Sequence, residues 1–199
     1  MRKLEEGKYY HIYNRGNNRE TLFYSSGDYT TFLKKYFHHC YHIFDTYAFC
    51  LIRNHFHFLV KVRCLQEQEF IWENYSTHIK GLQAPYKHLS NLFSSHAQSI
   101  NRRENRTGSL FQKNFKRREI EDREYFYQVF IYIHGNPFKH EIPVEIEDYP
   151  YSSFQYYYYD EKPEYPINLD FPIDYFGGIE NLVGAHFETF PKSRLWKSP

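Results

Sequence analysis

From Phe44 to Val62 the chain runs for 19 residues that are almost all of β type. As a single strand this segment would reach about 60 Å, far beyond the usual strand length. It must therefore fold back on itself, and Arg53-Asn54 is the best turn within it. The result is a hairpin of residues 45–52 and 55–63, which decides what opens the second strand: His55-Phe56-His57. Residues two apart on a strand share a face. The two imidazoles therefore stand side by side, poised to grip a divalent metal ion. Phe56 and Phe58 point the other way, towards a core.

The rest of the chain supplies partners for that hairpin. Lys8 to Asn14 reads as a strand, broken by Arg15-Gly16-Asn17-Asn18. Ser26 or Asp28 can cap a helix that carries Tyr29, Phe32, Leu33, Tyr36, Phe37 and Cys40 at helical spacing. Residues 65–84 are mixed, with Trp72, Tyr75 and Ile79 placed for one helical face. Pro85 to Asn101 is helical, with Leu89, Leu92, Phe93 and Ile100 facing inward. Leu110 to Ile120 is strand-like. Asp122 caps a helix whose apolar face is Phe126, Val129, Phe130 and Ile133, and Gly135-Asn136-Pro137 stops it. The order strand, helix, hairpin, helix, strand, helix predicts an antiparallel α+β sandwich with helices packed on one face. The other face is then free for a ligand. Beyond residue 141, seven prolines and the Tyr156–Tyr159 run predict an irregular extension.

The length of 199 residues suits one domain with an appendage, divided here as 1–140 and 141–199. Its 21 Tyr and 19 Phe offer many flat faces on which bases can stack. The net charge of +1 conceals a basic middle, because residues 102–118 hold seven bases (Arg102, Arg103, Arg106, Lys113, Lys116, Arg117, Arg118) against Glu104. Residues 141–175 hold nine acids against Lys162. Three unpaired cysteines, no signal-like apolar stretch after Met1 and no apolar run of membrane length lead to the expectation of a cytoplasmic protein with no membrane partner.

On the helix after Asp122, the residues Gln128, Tyr132 and Asn136 recur every four positions along one polar stripe, and Tyr125 lies close to it. Tyr127 points elsewhere, Gln128 reads as a solvated residue and His134 as a helix-surface residue.

Four segments resemble one family. Tyr47 to Val60 is similar to the HUH segment of single-tyrosine HUH transposases, and Gly108 to Lys116 to their next strand. Tyr132-Ile-His-Gly-Asn-Pro137 resembles the tyrosine-helix signature of the REP-associated tyrosine transposase branch, and Tyr10-His-Ile-Tyr-Asn-Arg-Gly16 fits that branch too. The resemblance implies a ferredoxin-like antiparallel sheet with the HUH pair on a central strand. It implies that His55, His57 and Asn136 are metal ligands and that Tyr132 is the nucleophile, with Tyr125 as the rival by position.

The implied activity is that of a transposase-type single-stranded DNA endonuclease and strand transferase. It passes through a 5′-phosphotyrosine with a free 3′-hydroxyl. Mg²⁺ or Mn²⁺ suits the reaction, and imidazole ligands by themselves also suit Zn²⁺. The expected partner is single-stranded DNA with hairpin elements, bound by a monomer or a homodimer. Arg15, Arg19 and the seven bases of residues 102–118 are the candidates to follow its backbone. The alternatives are a non-catalytic hairpin DNA- or RNA-binding relative and an unrelated His-x-His metalloenzyme acting on small molecules.

Overall fold

The structure, a computed structural model, describes residues 3–75, save the Tyr75 side chain, and 84–191. Four strands form one antiparallel sheet: β1 (Tyr9–Arg15), β2 (Phe44–Ile52), β3 (His55–Val62) and β4 (Lys116–Ile120), in the spatial order β2-β3-β1-β4. Helix α1 (Ser26–Cys40) links β1 to β2, and α2 (Leu65–Tyr75) and α3 (Pro85–Arg103) link β3 to β4. This is the ferredoxin-like order, and it puts the long hairpin beside the first strand. Ile79, expected to share a face with Trp72, lies outside the described residues.

Strand alternation sorts the side chains into two cores. Tyr10, Ile12, Phe49, Leu51, Phe56, Phe58, Val60 and Val62 meet α1 and α3 on one face. Tyr36 of α1 stacks on Phe58 at 3.9 Å between ring centroids and bonds Thr46 through its hydroxyl. The opposite face is covered along β2 and β3 by a further helix, α4 (Arg123–His134), which packs on Ala48, Cys50, Ile52 and Leu59. Helices α1 and α3 thus occupy one face as expected, whereas α4, expected there too, shares the other with the histidines, so that face is only partly free.

The cap of α1 is Ser25, one residue before Ser26 and three before Asp28, the two expected candidates. Asp28 instead sits at the third helical position, where its carboxylate accepts the N–H groups of Tyr24 and Ser25 and is gripped at both oxygens by Arg103 of α3. Burial pushes this carboxyl up, but the guanidinium and the two backbone donors outweigh it and hold the group at about 2. A carboxyl depressed in the fold stabilises above its unfolded pKa near 4, and that gain is lost as pH falls through about 2. Asp28→Asn is expected to cost about 2 kcal/mol at pH 7, with the gap to wild type closing between about pH 4 and pH 2. Denaturant unfolding of both proteins across that range checks it.

Two expectations about local structure are corrected. Leu110–Ile120 is not one strand: Asn114 has φ of 64°, in the left-handed region, so only Lys116–Ile120 joins the sheet, with Phe111 bridging separately to Gly16. The extension is not irregular throughout, since it forms α6 (Phe154–Tyr158), α7 (Asp170–Phe176) and α8 (Ile179–Thr189) after the single turn α5 (Asn136–Lys139). Pro172 is compatible with a helix because it lies in the first turn of α7, where the missing N–H costs nothing. Gly177 and Gly178, both at positive φ, separate α7 from α8.

The extension covers the outer edge of β2: Leu51 donates to the Tyr151 carbonyl, Ser153 to Phe49 and Asn168 to Thr46. His134, expected on the surface of α4, is fully buried there. Its ring nitrogens lie 2.8 Å from His186 Nε2 of α8 and 2.8 Å from Ser153 Oγ. Among the described residues no helix is long and apolar enough to cross a membrane.

Candidate functional site

The register of the sheet assembles the site. Tyr13 pairs with His57 and Arg15 with His55 across β1 and β3, and Lys116 and Arg118 of β4 pair with Tyr13 and His11. Paired residues share a face. One face of the sheet therefore carries His11, Tyr13 and Arg15, the two histidines of β3, and Lys116 and Arg118. The His55 and His57 rings lie 5.1 Å apart at 88°.

Both imidazoles are held from behind. Asn54 Oδ1 lies 2.8 Å from His55 Nδ1, and an amide oxygen only accepts, so His55 carries its proton on Nδ1 and turns a bare Nε2 outward. His57 Nδ1 lies 2.8 Å from His11 Nε2, while His57 Nε2 is buried with no hydrogen-bond partner. Burial pushes His55 down to about 4, helped by His140 and Arg15, and drives His57 well below its ordinary value. Both rings are thus neutral near pH 7, the form in which imidazole ligates a metal.

α4 delivers the other half. Its start is fixed by Asp122, whose carboxylate accepts the Tyr125 N–H at 2.7 Å. Tyr132, seven residues on, presents its ring edge to His57 at 5.5 Å and to His11 at 6.0 Å between centroids. Tyr125 lies instead under the Arg118 guanidinium, 4.5 Å from its ring centroid. Tyr127 stacks on Phe176, and Gln128 bonds Glu124 on the exposed side.

Asn136 is buried just past the helix end, its Nδ2 donating to the carbonyls of Tyr132 and Ile133 at 2.9 and 3.2 Å. Those two carbonyls fix the amide's orientation. Oδ1 is left buried without a hydrogen-bond partner, and the side chain faces His55, raising that ring's pKa against burial. Two imidazole nitrogens and an amide oxygen with free lone pairs are a donor set that fits a divalent ion. Among the described residues, no group of three or more His, Cys, Asp and Glu is arranged to hold one. The two histidines and the amide are the residues that would hold such an ion.

Burial raises the Tyr132 phenol, and Arg15 opposes the rise. Lys139 of α5 lies over the Tyr132 ring with Nζ 4.2 Å from the centroid. His140 packs on His55 at 4.7 Å. His11, Lys139 and His140 are absent from the residues singled out in the sequence. His140 continues the four-residue progression 128, 132, 136, which is the signal that could have found it. His11 needed the β1–β3 register.

The basic residues separate by role. Arg15, Lys116 and Arg118 border the histidine face. Arg19 and Arg102 are exposed, and so is Lys113 in the 108–115 loop. Arg103 is committed to Asp28 and Glu104, and Arg106 to Glu20 and Asn101, so both hold the fold together. Arg117, paired with Ile12, points to the sheet's other face.

No protein-family model and no curated protein sequence matches the chain. Among solved structures, a REP-associated tyrosine transposase bound to a REP hairpin superposes with a TM-score of 0.54 at 15% identity, over 78% of this chain and 81% of that one. At that identity the likeness is one of fold, and it agrees with the resemblance read from the four segments. This chain has the fold of a REP-associated tyrosine transposase.

Proposed function

We propose that the protein is a metal-dependent single-strand DNA nickase and strand transferase of transposase type, with Tyr132 as nucleophile. One observation carries the reading: the Tyr132 ring meets the His57 ring at 5.5 Å and 89°, and two buried polar atoms of the same site, His57 Nε2 and Asn136 Oδ1, have no hydrogen-bond partner. A buried polar atom without a partner costs free energy, and such costs persist where a function needs the atom free.

The reaction is an in-line displacement at phosphorus. The Tyr132 Oη–P bond forms, the P–O3′ bond breaks, and the phenolic proton ends on the departing 3′-oxygen. A divalent ion, Mg²⁺ or Mn²⁺, held by His55, His57 and Asn136 supplies polarisation of a phosphate oxygen when bound. Arg15 and Lys139 place positive charge beside Tyr132, and Arg15 eases loss of its proton, which burial otherwise resists. Lys116 and Arg118 border the same face and attract the backbone of the strand. By analogy with the solved neighbour, the substrate is single-stranded DNA next to a hairpin.

Incubation of the protein with Mn²⁺ and a labelled hairpin oligonucleotide, followed by denaturing electrophoresis, tests the proposal. The expected product is a covalent protein–DNA band. Tight binding with no such band rejects catalysis and leaves the hairpin-binding reading, which the burial-raised Tyr132 phenol favours.

His11 is a positioning residue in this scheme, since it holds His57 Nδ1 and so aims Nε2. His11→Ala is expected to weaken Mn²⁺ binding by about 10- to 100-fold, as loss of an outer-shell partner does elsewhere. Calorimetric titration with Mn²⁺ reads this without any need for activity.

A further inference from the structure

A cleft of about 970 Å³ opens away from the histidine face, between β4, the 108–115 loop and α3. Its wall is aromatic: Phe93 meets Phe111 at 5.1 Å and Phe115 at 5.8 Å between ring centroids. Its charge has one sign. Lys3, Lys113 and Arg117 line it, and among the described residues no Asp or Glu does. The Arg117 guanidinium lies over Phe115 with Cζ 5.2 Å from the ring centroid, and its buried Nε has no hydrogen-bond partner. Gln112 and Asn114 add exposed amides that can accept and donate.

Flat apolar rings, cations without acids and free amides are three features that single-stranded nucleic acid meets together: stacking, phosphate attraction and polar edges. The position of the cleft adds a fourth argument. β4 is an edge strand with alternating sides, so Lys116 and Arg118 serve the histidine face while Arg117, between them, serves the cleft. A strand crossing this edge passes from one set of cations to the other.

We propose that the cleft seats one unpaired nucleotide of the DNA strand engaged at the histidine face. The base lies on the Phe93–Phe115 wall, and its phosphate lies against Arg117 and Lys113. The proposal rests on the DNA reading above and deepens it by naming where the strand goes after leaving the site.

The test uses a hairpin oligonucleotide with single-stranded flanks in which each flank nucleotide in turn is made abasic. Affinities are read by fluorescence anisotropy at fixed salt. In the wild-type protein one position, or two adjacent ones, is expected to lose roughly tenfold in affinity when its base is removed. Phe115→Leu keeps the apolar filling but not the flat face, and should erase that position dependence. Arg117→Gln should weaken every oligonucleotide alike and lower the salt slope by about one. Thermal melts confirm that both variants fold.

A flat abasic profile in wild type, or one unchanged by Phe115→Leu, overturns the proposal. The covalent-adduct assay on the same samples separates the two readings. An adduct with a flat profile rejects the cleft alone. A position-dependent profile without an adduct rejects catalysis and keeps the cleft.

Discussion

Replacing Tyr132 with Phe is expected to abolish covalent capture of a labelled hairpin strand, a fall of at least about 1,000-fold, while DNA affinity stays within about twofold. The substitution removes one oxygen from a ring whose packing against His11 and His57 is retained, so the fold and the basic border of the site are undisturbed. No other described tyrosine of α4 faces the histidine pair. Tyr125 is occupied under Arg118 and Tyr127 on Phe176. Tyr125→Phe should therefore leave the adduct yield near wild type. An adduct that survives in Tyr132→Phe and disappears in Tyr125→Phe would move the nucleophile one turn-pair along the helix and overturn the assignment.

The second large effect is structural. His134→Ala is expected to destabilise the protein by about 3–5 kcal/mol and lower its melting temperature by about 10 °C. The bonds around this ring form a chain with one consistent direction of donation. His186 Nδ1 faces the Leu182 carbonyl, which only accepts, so it carries the proton and leaves Nε2 as an acceptor. His134 Nδ1 therefore donates to His186, and His134 Nε2 accepts from the Ser153 hydroxyl. Ser153 Oγ in turn accepts the Phe49 N–H.

Burial pushes both imidazoles down, His186 to about 4, so the neutral forms this chain requires prevail near pH 7. Four separate parts of the fold (β2, α4, the turn at 153 and α8) meet through it. Truncation at His134 strips the buried His186 Nε2 of its donor, leaves Ser153 Oγ only Phe49 to bond, and opens a cavity among Phe130, Phe154 and Tyr157. Ser153→Ala removes less and should cost about 1–2 kcal/mol. Calorimetry of both variants measures this. A His134→Ala melting point within about 2 °C of wild type would show that the chain of bonds adds nothing.

What the sequence leaves out at several positions has one physical origin. A histidine inside an amphipathic helix looks like a surface residue when its partner lies 52 positions away, as His186 does. Arg103 and Arg106 stand in a basic run, and only the fold pairs them with acids, Asp28 and Glu20, that lie 75 and 86 positions away. Gly135 reads as a simple helix stop. In the fold it also makes room for Phe190, whose ring a Cβ at that position would strike. In each case the local pattern is visible in the sequence and the distant partner is not.

The sequence by itself determined the hairpin, because a β-type run of that length must turn, and with it the common face of His55 and His57, because strand alternation is a property of the backbone. It also determined the helix after Asp122 and the four-residue stripe containing Tyr132 and Asn136, since both follow from helical periodicity. The tertiary structure alone decided which tyrosine of α4 meets the histidines, that His11 backs His57, that Asn136 keeps a free oxygen, and which cations face the site. Those outcomes depend on strand register and on helix docking. Both are fixed by the burial of two separate cores, which no short stretch of sequence contains.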